Sequence, residues 1–258
     1  MGFFRAENLS KSFGGMKAVD DLSFEVNEGE ILSLIGPNGA GKTTVFNLIT
    51  SFLKPTGGNI IFEDENITNT LSHKIAKKGI VRIFQLDNLF LDMTVLDNLD
   101  IAHHLDCKAS LPGYFFNSKR ARKDHVKFKE SSIKLLKYFD LLPYQSELAR
   151  SLAHGHKRAL AIAIAMAAQP RLLLLDEPFS GLNPDETETA MSMVRGLRDN
   201  GTTIILVEHD MRAVRGISDR IVVMSFGKKI AEGVPEEVLQ DPNVINAYLG
   251  EEDGYLLS

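Results

Sequence analysis

The chain has 258 residues, enough for one large domain or two small ones, with 44% hydrophobic and 24% charged residues and a formal net charge of −5. That balance gives no general reason to bind nucleic acid or an anionic membrane, and no apolar run approaches the roughly 18–20 residues needed to cross a bilayer. The N-terminus lacks a signal-peptide layout and the one cysteine, Cys107, excludes an internal disulfide framework, so a cytosolic protein is expected, one that meets a membrane only through a partner.

Short β-rich segments are expected first, over Phe3 to Asn8, Leu22 to Val26 and Glu30 to Ile35. The last is apolar on both faces, as a buried parallel strand should be, and runs into a glycine-rich loop. A helix from about Thr43 to Phe52 follows, then strands at "GNIIFED" and "IVRIF". The segment from about Thr94 to Leu148 reads as mostly helical, interrupted by a polar, turn-rich piece with Pro112-Gly113. After Ser151 the order is helix, strand "RLLLLD", helix Asp185 to Arg198 and strand "TTIILVEH". A hairpin around Phe226-Gly227-Lys228 and two short helices close the chain. Strand–helix alternation predicts an α/β core with a parallel sheet, into which the middle block is inserted.

"GPNGAGKTT" (Gly36, Pro37, Asn38, Gly39, Ala40, Gly41, Lys42, Thr43, Thr44) matches G-x-x-x-x-G-K-[ST] between a predicted strand and a predicted helix. The glycines let the backbone wrap closely and aim N–H groups at phosphate oxygens, and the helix N-terminus adds a favourable field. Lys42 supplies a point charge to the β- and γ-phosphates, and Thr43 offers a hydroxyl to Mg²⁺. In "RLLLLDEP" four leucines bury a strand and Asp176 emerges at its C-terminal end, where open α/β sheets bind ligands. Asp176 is expected to hold Mg²⁺ through water, and Glu177 to act as general base on the attacking water. "LVEHD" ends another strand at His209, which is expected to contact the γ-phosphate and orient that water.

With these residues in view, the chain resembles the ATP-binding subunits of ABC transporters over nearly its full length. "GPNGAGKTT", "LLLLDEP" and "EHD", in this order, are together highly specific. The resemblance implies a P-loop ATPase core with an N-terminal antiparallel β subdomain (residues 1–93 and 149–258) and an inserted helical subdomain (about 94–148). It implies that Gln85, in "VRIFQLDN", links Mg²⁺ and water to the helical subdomain. It places Ser180, Gly181, Leu182 and Asn183 in the D-loop, and puts Phe13 where an aromatic ring stacks on adenine. The family more often has tyrosine there.

"SLAHGHKR" falls at the signature loop, which in the family is usually L-S-G-G-Q and binds the γ-phosphate held by a second subunit. Leu152 and Gly155 match; Ala153, His154 and His156 replace serine, glycine and glutamine. Backbone N–H groups and the helix field should carry much of the anion binding, and alanine keeps both. The lost hydroxyl forfeits one charge-assisted hydrogen bond, roughly 1.5–3 kcal/mol. Protonated His154 or His156 can restore part of that, so the expectation is a competent loop that closes more weakly.

Within the family the similarity is greatest to the first ATPase of branched-chain amino acid importers, through "IGPNGAGKTTVFNLITSFLKPTGG", "DEPFSGLNPDET", "VEHDM" with "ISDRI", and "VINAYLG". This implies ATP and Mg²⁺ as cofactors and a peripheral place on the cytoplasmic face of the inner or plasma membrane. The implied partners are a second ATPase subunit, alike or paralogous, two transmembrane permease subunits and, indirectly, a solute-binding protein; no nucleic acid is implied. Urea- or amide-type importers and lipopolysaccharide-extracting systems use similar ATPases and are the alternatives. A non-transport ATPase of the family is disfavoured because such chains carry tandem cassettes or long coiled-coil insertions. Exposed apolar Leu89, Phe90, Leu91 and Met93 are candidates for gripping a permease helix.

Overall fold

The structure is a computed structural model that describes residues 2–83, 89–103 and 119–252. The chain divides into two compact units, one of Met1–Arg82, Arg171–Ser180 and Thr187–Ser258, the other of Ile83–Pro170 and Gly181–Glu186.

The first unit carries two sheets. Strands β1 (Phe4–Phe13), β2 (Met16–Val26), β4 (Gly57–Phe62) and β5 (Glu65–Asn66) form an antiparallel sheet in the order β2-β1-β4-β5. The first two strands run longer than the sequence pattern suggests. Asn8, a poor strand residue, is absorbed in a bulge with φ +49, where its backbone N–H donates to Ser23 Oγ at 2.8 Å and its amide to Asp21 Oδ1 at 2.9 Å.

The second sheet runs β10-β9-β3-β8-β7-β6, from β3 (Ile31–Ile35), β6 (Ile80–Ile83), β7 (Leu172–Asp176), β8 (Thr203–Val207), β9 (Arg220–Ser225) and β10 (Lys228–Gly233). Strands β7, β8, β3 and β9 pair in parallel, and β10 closes the edge as an antiparallel hairpin. Alternate residues of these strands enter two different cores. Leu32, Leu34, Leu174, Ile205, Val207, Val222 and Met224 face one core with Phe46 and the antiparallel sheet. Ile35, Ile221 and Val223 face the other, with Val214, Val238 and Val244. A parallel strand covered on both sides therefore reads as an unbroken apolar run, as "LLLL" does.

Helices α1 (Lys42–Ile49), α6 (Pro184–Asp199), α7 (Met211–Ile217), α8 (Pro235–Val238) and α9 (Pro242–Glu252) complete the alternation, with α2 (Ser72–Lys77), a short helix that its sequence does not announce. No described helix is long and apolar enough to cross a membrane.

In the second unit α3 (Val95–Ala102), α4 (Lys119–Tyr138) and α5 (His154–Ala167) pack on one another. Thr94 and Asp97 form a capping box at the start of α3. Asn98, only 1% exposed, accepts from Phe90 N–H at 2.9 Å and donates to the carbonyls of Phe90 and Thr94 at 3.0 and 2.9 Å. Phe90 and Leu91 stand exposed on this loop, whereas Leu89, expected outside, is buried.

Asn98→Ala leaves the Phe90 N–H without its acceptor, while the carbonyls of Phe90 and Thr94 keep the N–H groups of Met93 and Asn98, and should cost about 1–3 kcal/mol. Urea unfolding measures it, and an unmoved midpoint would mean that the loop does not depend on Asn98.

Candidate functional site

The site grows from the ends of the parallel strands. Register pairs Leu34 of β3 with Val207 of β8, and Val207 with Asp176 of β7, so the three strands finish level. The segments that follow them begin at Gly36, Glu208 and Glu177, at the same edge of the sheet.

After β3 the chain turns through Pro37, Asn38 and Gly39, with Ala40 N–H donating to Pro37 O at 3.2 Å, and enters α1 at Gly41. The glycines are required. Gly36 has φ +149, and a Cβ there would meet Met224 O at 2.1 Å; Gly41 has φ +103, and its Cβ would meet Ala18 O at 2.3 Å. No side chain caps the N-terminus of α1, which leaves its first N–H groups to an anion. Lys42 Nζ arches over the loop and donates to Gly36 O at 2.6 Å and Pro37 O at 2.8 Å. Asn38, Gly39 and Thr43 are exposed, while Ala40 is buried and Thr44 half-buried.

Asp176 and Glu177 diverge at the end of β7. Asp176 is 14% exposed, and its Oδ2 accepts from Arg82 Nη2 at 2.7 Å. Glu177 sits in the left-handed region at φ +48, a conformation that costs a non-glycine residue about 1–3 kcal/mol. Its N–H donates to Val207 O at 2.8 Å, which ties the turn to β8, and its side chain is 33% exposed. His209 Nδ1 lies 3.7 Å from Glu177 Oε1, so the acid after β7 and the histidine after β8 come together. Asp210 holds that loop in place, its Oδ1 capping α7 through the N–H groups of Arg212 (2.8 Å) and Ala213 (3.3 Å).

Phe13 ends β1, nearly half exposed, with Lys11 Nζ 5.1 Å from its ring centroid. Gln85 lies outside the described residues.

In the second unit, Leu152 is buried and Ala153 is the N-cap of α5, with no side-chain hydrogen bond to the helix. Both imidazoles of the loop lie against neighbours. A Cβ built on Gly181 would lie 3.0 Å from His154 Nε2, and the His156 ring is 4.5 Å from that of Tyr144. Histidine in the loop and glycine at 181 are thus matched, because the imidazole occupies the space a side chain at 181 would need. Leu182 is half-buried, and Asn183 caps α6 in a reciprocal box: its Oδ1 accepts from Glu186 N–H and its own N–H donates to Glu186 Oε2, each at 3.0 Å. Ser180, just before, donates its N–H to Glu177 O at 3.2 Å within the first unit.

Sequence reasoning passed over Arg82, Asn47, Asp210 and Glu186. Each had a signal: a lone arginine inside the apolar strand "IVRI", an asparagine one helical turn after Thr43, and two capping patterns at helix starts.

The sequence matches the ABC transporter family over residues 19–180, and a branched-chain amino acid ATP-binding cassette transporter family over residues 228–254. The high-affinity branched-chain amino acid transport ATP-binding protein LivG of Salmonella typhimurium is 45% identical over 244 residues, 94% of this chain and 96% of that protein. The lipopolysaccharide export system ATP-binding protein LptB of Escherichia coli K12 is 35% identical over 252 residues, 98% and 99% of the two chains. Among solved structures, the ADP conformation of an ATP-binding cassette of an ABC transporter aligns with a TM-score of 0.85 and 34% identity, covering 97% of this chain and 99% of that one. A dimeric post-hydrolysis cassette bound to ADP and Pi aligns with a TM-score of 0.74 and 25% identity, covering 90% and 98%. The chain belongs to the ABC transporter family, as an ATPase of that family.

Ala153→Ser should supply the missing cap on α5 and stabilise the protein by about 1 kcal/mol. The urea midpoint reads it; an unchanged midpoint would show that the loop backbone cannot present a hydroxyl to its own helix.

Proposed function

We propose that this ATPase is the nucleotide-binding subunit of an importer for branched-chain amino acids, working at the cytoplasmic face of a membrane. The observation that carries the substrate class is the likeness of the C-terminal segment, residues 228–254, to cassettes of branched-chain amino acid transporters, together with 45% identity to one such ATP-binding protein over nearly the whole chain. The lipopolysaccharide relative is 35% identical over a similar span and supports the cassette chemistry more than the cargo.

In this reading the phosphates of ATP lie on the N–H groups of the loop from Gly36 to Thr44, with Lys42 turned from the loop carbonyls to the β- and γ-phosphates and Phe13 under the adenine. Thr43 and Asp176 offer oxygen only, a hydroxyl and a carboxylate, which suits a hard cation that keeps most of its water and takes the rest from phosphate. Mg²⁺ bound there would neutralise charge on the β- and γ-phosphates. Glu177 is the base that takes a proton from the attacking water. His209, within 3.7 Å of it, steadies that water and the γ-phosphate. Gln85 couples occupancy to the helical subdomain, about residues 94–148, which carries the movement to two permease subunits. Phe90 and Leu91 offer them an apolar contact.

Two such subunits close face to face. The loop Leu152, Ala153, His154, Gly155 and His156 of each meets the nucleotide of the other, beside the D-loop from Ser180 to Asn183. The contacts of His154 at Gly181 and of His156 with Tyr144 give these imidazoles a bracing role within their own subunit. The γ-phosphate is then left to the backbone N–H groups at the start of α5.

Glu177→Gln should bind ATP and lose about 10²–10⁴-fold in hydrolysis, the usual worth of a general base; near-normal turnover would remove Glu177 from that role. A tagged Glu177→Gln form drawn from native membranes with ATP should bring two dissimilar hydrophobic subunits and a second ATPase. Recovery with lipopolysaccharide-handling chains instead would move the function to that transport class.

A further inference from the structure

Arg82 is the one charged residue of β6, and its side chain is 5% exposed. A guanidinium at that depth needs partners. It donates to Asn47 Oδ1 at 2.6 Å and to Asp176 Oδ2 at 2.7 Å, and its central carbon lies 5.4 Å from the centroid of the Phe46 ring. Asn47 and Phe46 belong to α1, and Asp176 ends β7. Asn47 is four residues after Thr43, so the two share a face of α1 one turn apart. Arg82 thereby ties the Asp176 carboxylate to the face of the helix that carries the Thr43 hydroxyl.

Two consequences follow from the charges. The pair Arg82–Asp176 is neutral, so Asp176 brings no uncompensated charge to a polyphosphate; the other carboxylate there, Glu177, lies beside His209 instead. And with Oδ2 engaged by Arg82, the carboxylate is held toward the face of α1 that carries Thr43, where the two would hold a cation.

We propose that Arg82 is a positioning residue of the nucleotide–metal site: it neutralises Asp176 and fixes its carboxylate, so that the site accepts a nucleotide's phosphates before or without the cation. This rests on the reading above that Thr43 and Asp176 flank the phosphates of a bound nucleotide. A residue that merely stabilised the fold would weaken metal-free and metal-bound nucleotide alike; one that cancels the charge of Asp176 matters most when no cation is there to do so.

The test is the affinity of ADP for the full chain, measured by calorimetry in EDTA and again in Mg²⁺, for Arg82→Met, Arg82→Lys, Asp176→Asn and the double variant Arg82→Met/Asp176→Asn. Arg82→Met should raise the ratio of the two dissociation constants at least about tenfold, the scale of one uncompensated charge as far as about 12 Å from a phosphate at an effective dielectric of about 20. Arg82→Lys, which keeps the charge, should return the ratio to within about twofold of the wild type. The double variant, in which no carboxylate is left to neutralise, should bind metal-free ADP within about threefold of the wild type. If Arg82→Met leaves the ratio unchanged, or the double variant binds metal-free ADP as poorly as Arg82→Met does, the inference is overturned. If the wild-type chain binds ADP in neither condition, the reading of the phosphate site beneath it falls instead. Should Arg82→Met not fold, the comparison of Arg82→Lys with the wild type decides: a ratio shifted tenfold in a folded, still cationic variant contradicts charge neutralisation, and an unshifted ratio supports it.

Discussion

Three parallel strands that end level are the constraint on which the site depends. Hydrogen bonding puts Leu34, Val207 and Asp176 side by side, so the next residues of three distant segments leave the sheet at one edge. That register is held by burial on both faces, because a slip of one residue would turn each apolar side chain toward the wrong core. The glycine-rich loop after β3, Glu177 and His209 are then neighbours through the sheet, with no direct link along the chain.

Rigidity at that edge has a local cost. Glu177 takes a left-handed backbone, and the glycines at 36 and 41 exist because Met224 O and Ala18 O leave no room for a side chain. Both oxygens come from elements distant in sequence, so the fold squeezes the loop as much as the loop shapes itself. Arg82 adds a second link of the same kind, since from its place on β6 one guanidinium joins a side chain of α1 to the end of β7. Strain and buried charge gather where the chemistry is proposed, which is where such costs are usually retained.

The loop from Leu152 to His156 shows how residues in one segment are matched by another. A glycine at 181 leaves space that His154 fills, and Glu186 closes the box that starts α6 while standing 3.2 Å from where a Cβ of Gly155 would be. Read alone, Ala153, His154 and His156 look like losses from the L-S-G-G-Q pattern. In their surroundings the two imidazoles have neighbours of their own, His154 beside Gly181 and His156 against Tyr144.

Much of this was legible in the sequence for a physical reason. Phosphate binding by backbone needs glycines at set spacings, buried parallel strands need unbroken apolar runs, and both leave marks a few residues long. "GPNGAGKTT", "LLLLDEP" and "EHD" therefore announced the α/β core and three segments that meet at one edge of its sheet. What they did not announce was set by partners far along the chain. The bulge at Asn8, the burial of Leu89, the tie from Arg82 to Asp176 and the fit of His154 to Gly181 each join residues that no local pattern couples. By itself the sequence determined the kind of chemistry, because that is written in short motifs. The tertiary structure decided which charges are neutralised and which side chains are braced, because those depend on distances between strands and helices that only packing sets.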